Sequence, residues 1–426
     1  MLMFSIRMKF RCRLILGLLL ATAALVRAED SLQVGVAFAD ITPIAGVDEM
    51  VAMGGRQALV HKIHDPLYAN AVVFKQGEDR VALVSLDLIW VEPEVLKSIR
   101  DGITQETGIT QVICAVTHTH GSGRPPVATA AKIIPQAIAA AVEANTTLEP
   151  ARIGYGRGEL HEGYNRRVVK SDGTVEMLWN NRDRLPTSPV DPEVGVLSIK
   201  RLRDDSTLAT LVNYSVHPVI SMNFEELIVS ADYPGAMARK VEAELGGRCI
   251  FLLGAAGDIN PFDADMFRYA TEDETFAAID RLAEKLATVV KQIARDTTVF
   301  HANTALSYEQ VDVPMALRED GLHGDKSLKV ELDTFVIGGR FAMATIAGEP
   351  FVELGLKLKR RSPAAATWVI ANCNDYHGYI PTTQATTEGG YGAASGTILE
   401  VGAGERLINQ AVVSIHHQLG LVKPLE

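Results

Sequence analysis

The sequence predicts an α/β fold in which a mixed, largely buried β-sheet is flanked by helices and carries a metal site at its strand ends. Three observations predict it. A continuous run of apolar or small residues at 112–116 reads as a strand buried on both faces, and the apolar stretches at 207–216 and 249–253 read as further core strands. Segments of helical periodicity separate strands rich in β-branched residues, so strand, helix and strand alternate as in a crossover unit. The core runs also open directly into polar segments: Thr117-His118-Thr119-His120 after the first, His217-Pro218 after the second, and Gly254-Ala255-Ala256-Gly257-Asp258-Ile259-Asn260-Pro261 after the third. Folds of this class keep their sites at the carboxyl ends of strands.

Taken in order, the chain of 426 residues begins with Arg7, Lys9, Arg11 and Arg13, an apolar run at 14–26, and Val26-Arg27-Ala28. This pattern predicts a secretory signal over 1–28, and its apolar run is too short for a comfortable membrane span. Residues 29–426 are then predicted to form one catalytic domain, secreted or periplasmic, with no internal repeat. Residues 32–41 alternate as a strand, and 69–74 with 80–88 form a hairpin around Gln76-Gly77-Glu78-Asp79. A helix at 92–107, with Val95, Ile99 and Ile103 on one face, leads into the strand at 112–116.

The alanine-rich helix at 128–143 contains Pro135, which predicts a kink or an early break. After Tyr164-Asn165-Arg166-Arg167, residues 171–192 are polar and proline-rich around Trp179, as in a mobile loop over a cleft. Strands at 193–201 and 207–216 precede a helix at 236–245 that has Pro234 near its start and Gly246-Gly247 past its end. A helix at 273–295 is followed by a hairpin, 328–337 and 340–346, whose second strand runs through Ala347-Gly348-Glu349-Pro350 into a helix carrying Leu354 and Leu358. The last strand, 367–371, opens a loop holding Asn372, Asn374, Asp375, Tyr376, His377, Tyr379 and Tyr391 before the closing helix at 404–419.

Without residues 1–28 three cysteines remain, Cys114, Cys249 and Cys373, and two of them lie in core runs. They read as small buried hydrophobes rather than a disulfide framework. Loss of the signal removes five basic residues and no acidic one, taking the formal charge from −11 to −16. An acidic surface disfavours nucleic acid and anionic membranes as partners.

The strand ends together offer His118, His120, His217, Glu349 and Tyr379. If the extended conformation persists past Val116, His118 and His120 share a face, because the side-chain period of a strand is two. Imidazoles, a carboxylate and an open position are the donor set of a catalytic zinc site, where the ion lowers the pKa of bound water and polarises a carbonyl. Glu349 also suits a purely structural place, since an acid at a helix N-terminus is favoured by the helix dipole.

In this order the motifs resemble the catalytic domain of the neutral/alkaline non-lysosomal ceramidases. The similarity runs over 34–410, through Gly35-Val36, Ile41-Thr42-Pro43, Thr117-His118-Thr119-His120, Asn165-Arg166, the histidine after Asn213-Tyr214, Gly257-Asp258-Ile259-Asn260-Pro261, Gly348-Glu349 and Asn374-Asp375-Tyr376-His377-Gly378-Tyr379. The resemblance implies that Zn2+ is held by His118, His217, Glu349 and Tyr379, with His120, Arg166 and Tyr391 around the scissile carbonyl. It implies hydrolysis of an amide (N-acyl) bond in a small-molecule or lipid substrate by zinc-activated water, with any membrane contact peripheral and made through the substrate. It specifies no oligomeric state.

Three departures qualify the expectation. Asn260 stands where the family pattern Gly-Asp-Val-Ser-Pro has the serine assigned as nucleophile; its amide can hydrogen-bond a substrate or a water but cannot attack as a hydroxyl does. The turn Gly121-Ser122-Gly123-Arg124-Pro125 replaces Ser-Gly-Pro-Gly and brings Arg124 towards the cleft. The chain ends at Glu426, leaving no room for the immunoglobulin-like C-terminal domain of those enzymes. Alternative readings are a degenerate member that binds metal or ligand without turnover, a hydrolase of another acyl or sugar substrate, and a serine hydrolase using Ser122.

Overall fold

The computed structural model describes residues 31–423 apart from 53–54, 223–225, 265–270 and 319–325, so the predicted signal at 1–28 lies outside the described residues. An eight-stranded sheet is built from β1 (Gln33–Asp40), β2 (Tyr68–Gln76), β3 (Asp79–Leu86), β4 (Gln111–Val116), β5 (Glu149–Glu159), β6 (Glu193–Arg201), β7 (Thr207–Tyr214) and β8 (Arg248–Leu253). Its spatial order is β8-β7-β6-β5-β1-β2-β3-β4. The inner pairs are antiparallel, while the outermost pairs, β3 with β4 and β7 with β8, are parallel. A second sheet holds β9 (Leu306–Ala316), β10 (Ser327–Ile337), β11 (Phe341–Thr345) and β12 (Ala366–Ile370), and its last pair is again parallel.

The main helices are α1 (Pro93–Thr107), α2 (Val127–Thr146), α3 (Asp232–Leu245), α4 (Glu272–Asp296), α5 (Val352–Arg361) and α6 (Ala403–Gln418). A parallel pair cannot be joined by a tight turn, and each of the three in these two sheets is bridged by a helix: α1, α3 and α5. Four layers result. One face of the large sheet packs on α1 and α2 through Ile99, Ile103, Ile133 and Ala137, and on α3 and α4 through Met237, Val241, Leu282 and Leu286. The other face meets the second sheet, where Phe74, Leu83 and Leu211 pack against Phe335, Phe341 and Trp368. Helices α5 and α6 cover the far side with Leu354, Leu358, Leu407 and Ile415. Strands covered on both faces must be apolar throughout, which accounts for the unbroken runs in β4, β7 and β8.

The α/β class and the mixed, buried sheet are as predicted; the division into two sheets is not, because strand pairing is long-range and leaves no mark on local periodicity. Pro135 does not break α2, which continues over Val127–Thr146 and presses Ala137, Ala140, Ala141 and Ala144 onto the sheet. That helix is long and apolar enough, by length and composition alone, to cross a membrane, but its apolar face belongs to the core. In the segment 171–192, Val175–Met177 pairs with Arg167–Val169, which ties it to the body of the fold.

The exits of three strands from the parallel pairs are sewn together. Val116 N–H donates to Asn372 C=O at 3.2 Å, Asn374 N–H to Cys114 C=O at 2.8 Å, and Ala371 N–H to Leu253 C=O at 2.9 Å. The carboxyl ends of β4, β8 and β12 therefore converge at one place, across the boundary between the two sheets.

Candidate metal and hydrolytic site

His118 follows β4 in a left-handed backbone conformation, φ 63°, so the strand does not persist through the two histidines as the sequence suggested. Its N–H donates to Leu88 C=O at 2.9 Å, and that of His120 donates to Pro218 C=O at 2.9 Å, so neighbouring loops replace the ladder. Both rings still reach one cluster. His118 Nε2 lies 2.9 Å from His217 Nε2 and 3.4 Å from His120 Nε2. All three histidines are buried, and together they could hold a metal ion.

Glu349 and Tyr379 face each other in a two-residue parallel pairing, Glu349–Pro350 with Tyr379–Ile380, so strand register places both side chains on the same side. Glu349 Oε2 sits 3.4 Å from His118 Nε2 and 3.3 Å from His217 Nε2. Its other oxygen accepts from the Tyr376 hydroxyl at 2.6 Å. Gly257 lies against this segment: a Cβ there would stand 2.5 Å from the Glu349 carbonyl oxygen, so only glycine allows the approach. Asp258 joins the same loops, accepting from Val352 N–H at the start of α5 and from the Asn165 amide, both at 2.8 Å.

Arg166 is buried beside this cluster. It donates to Gly257 C=O at 2.6 Å, to the Tyr379 hydroxyl at 3.1 Å and to Asn260 Oδ1 at 3.2 Å. Its guanidinium lies 5.5–5.6 Å from the ring centres of Trp179, Tyr379 and Tyr391. The structure thus brings together His118, His120, His217, Glu349, Tyr379, Arg166 and Asn260, and Tyr391, 37% exposed, stands with Trp179 on the open side. Asn260 is fully buried and its carbonyl oxygen is taken up by Arg166. Ser122 is equally buried: its hydroxyl accepts from Ile89 N–H at 2.9 Å and lies 2.7 Å from Gly123 C=O, a turn-holding role that removes it as a nucleophile.

Backbone carbonyls orient the rings. His118 Nδ1 is 2.5 Å from Ile89 C=O and His217 Nδ1 is 2.9 Å from Ala256 C=O, so each Nδ1 carries a hydrogen and each Nε2 faces the cluster. Burial, then His118 and Arg166, push His217 well below the ordinary imidazole range, and burial with His118 and Arg166 does the same to His120. Burial alone would raise the Glu349 carboxyl, but His118, the Tyr376 hydroxyl and Arg166 outweigh it and hold it below the ordinary carboxylate range. Two imidazole Nε2 atoms and the Glu349 Oε2 atom therefore face one another, all within 3.4 Å.

Such a cluster needs a positive charge at its centre, either a proton on one imidazole or a metal ion. A triangle with edges of 2.9, 3.3 and 3.4 Å has a centre about 1.9 Å from each corner, close to zinc–nitrogen and zinc–oxygen bond lengths of about 2.0–2.2 Å. The residues fit a divalent ion by spacing, donor chemistry and orphaned acceptors alike. Burial and Glu349 push the Tyr379 phenol well above its ordinary range, as expected for an oxygen beside an uncompensated carboxylate.

Tyr376 carries no signal in the sequence beyond its place in a polar loop, and its bond to Glu349 joins residues 27 positions apart. The carbonyls of Ile89 and Ala256, which set the tautomers, carry no residue-type signal. Arg124, expected to lean into the cleft, instead pairs with Glu92 and lies over the Trp90 ring at 4.8 Å.

The chain is thus a mixed-sheet α/β protein with a buried cluster of three histidines and a carboxylate at its strand ends. Residues 32–250 match the family model described as neutral/alkaline non-lysosomal ceramidase, N-terminal, and the chain belongs to that family. Its fold is similar to that of a ceramidase complexed with C2, with a TM-score of 0.73 at 17% identity over 93% of this chain and 77% of the other. It is likewise similar to neutral ceramidase from Pseudomonas aeruginosa, with a TM-score of 0.71 at 18% identity over 93% of this chain and 75% of that one. Comparison with curated protein sequences finds no match.

Proposed function

We propose that the protein is a secreted zinc-dependent hydrolase that cleaves an amide bond in an N-acyl substrate, with ligands His118, His217, Glu349 and Tyr379. The observation that carries the reading is the triangle of donor atoms formed by His118 Nε2, His217 Nε2 and Glu349 Oε2. A bound zinc ion supplies Lewis acidity and lowers the pKa of a coordinated water. His118 and His217 are held in the right tautomer by the Ile89 and Ala256 carbonyls, and Tyr379 is held by Arg166. Family membership supports hydrolysis of an amide, and the predicted signal supports export.

Arg166 and Tyr391 stabilise the negative charge that develops on the carbonyl oxygen, in a buried setting where such donors are most effective. His120, kept neutral by burial, accepts a proton from the attacking water and returns it to the leaving amine. Asn260 fixes Arg166 rather than acting as a nucleophile. Turnover of a panel of N-acyl and O-acyl substrates, with metal content measured in parallel and His118→Ala as control, tests the reading. Zinc-loaded protein that turns over no member of the panel would favour a binder without catalysis.

A further inference from the structure

A pile of side chains runs from solvent to the metal-facing carboxylate. Glu92 pairs with Arg124 at the rim. The Arg124 guanidinium lies 4.8 Å from the centre of the Trp90 ring, and Trp90 stacks on Tyr376 with ring centres 5.0 Å apart and planes 14° from parallel. The Tyr376 hydroxyl then donates to Glu349 Oε1 at 2.6 Å. Reciprocal backbone bonds with Val51, 2.7 and 2.8 Å, fix the position of Arg124. Three segments far apart in the chain, around residues 90, 124 and 376, are clasped together by this contact sequence.

We propose that Tyr376 is a positioning residue for the metal, with Trp90 and Arg124 acting through it. A carboxylate can turn about its last bond and offer either oxygen, or both. The Tyr376 hydroxyl engages Oε1 and leaves Oε2, which has no hydrogen-bond donor, pointed at His118 and His217. Glu349 is thereby fixed as a one-oxygen donor, which favours the low coordination number of zinc over the larger oxygen shells of calcium or magnesium. The phenol is held in turn by its stack on Trp90, whose ring also carries the Arg124 guanidinium. The inference rests on the metal-site reading above.

Zinc affinity measured by chelator competition, and the visible absorption of the cobalt-substituted protein, test it without reference to turnover. Tyr376→Phe removes one oxygen and keeps the stack; it is expected to weaken zinc binding about 10–100-fold, the usual cost of losing a partner behind a ligand, and to alter the cobalt spectrum. Trp90→Ala is expected to weaken binding by less, Trp90→Phe to restore most of that loss, and Arg124→Ala to follow Trp90→Ala in direction. In the double variant Tyr376→Phe/Trp90→Ala, binding is expected to be no weaker than in Tyr376→Phe alone, because the indole acts through the hydroxyl. An unchanged affinity and cobalt spectrum in Tyr376→Phe overturns the positioning role, and additive losses in the double variant overturn the link through Trp90. Failure of the unaltered protein to take up either ion overturns the metal-site reading and the positioning role with it.

Discussion

Glu349→Gln should shift stability in opposite directions with and without metal. In the metal-free protein Glu349 Oε2 faces the Nε2 atoms of His217 and His118 at 3.3 and 3.4 Å and forms no hydrogen bond. Glutamine keeps an oxygen for the Tyr376 hydroxyl and puts an N–H where Oε2 stood, within reach of His118 or His217. A buried polar group left unsatisfied costs about 1–3 kcal/mol, so the variant should be more stable than the unaltered protein by about that amount in the presence of a chelator. With zinc the order should invert. An ion at a thousand times its dissociation constant stabilises the native state by about 4 kcal/mol, and the variant, having lost the anionic donor, forgoes most of it. Urea unfolding of both proteins in chelator and in zinc gives the four values required. If the variant is the less stable in chelator and gains as much from zinc as the unaltered protein, the three atoms are not a set of metal donors.

Other consequences are open to direct measurement. Arg166→Lys loses the fork that spans Gly257, Asn260 and Tyr379, and kcat should fall about 10²–10³-fold with little change in KM, read from steady-state kinetics on an N-acyl substrate. Gly257→Ala drives a Cβ to 2.5 Å from the Glu349 carbonyl oxygen, and should cost about 1–3 kcal/mol in chemical unfolding and weaken zinc binding as well. Asp333 is pushed up to about 7 from 3.8 by burial and then by Glu331, so its folded pKa is raised and the stability it confers is present below 3.8 and lost as pH rises to about 7. Relative to Asp333→Asn, the unaltered protein should therefore weaken between those values and run parallel above them in unfolding measurements across pH.

What the sequence made legible was the local grammar. β4 with its two histidines, β7 with His217 and the glycine loop after β8 each combine an apolar run with an abrupt polar exit, and such exits can be recognised without knowing where the strand lies. Glu349 was ambiguous because an acid before a helix has a structural explanation that needs no partner, and only the pairing of Glu349 with Tyr379 resolves it. The period-two argument for His118 and His120 reached the right cluster by the wrong geometry: the left-handed backbone at His118 and the Pro218 carbonyl set the rings, and neither leaves a trace in residue spacing. The stack of Arg124, Trp90 and Tyr376 was illegible for a related reason, since it joins three loops that no periodicity connects. Asn260 stood out as a departure, yet its role as a partner of Arg166 depends on a strand pairing, Ile259–Pro261 with Gly163–Asn165, too short to be predicted.

The meeting of strand exits from both sheets bears on how the protein matures. His118 and His217 belong to the large sheet, whereas Glu349 and Tyr379 arrive with the smaller one, more than a hundred residues later in the chain. An emerging chain that has completed the first sheet holds three imidazoles but neither Glu349 nor Tyr379. On the proposed ligand set, tight metal uptake would wait for the second sheet to dock, and would then tie the two layers together at their shared edge. Loss of the ion should be felt first as loosening at that seam, well before either sheet unravels.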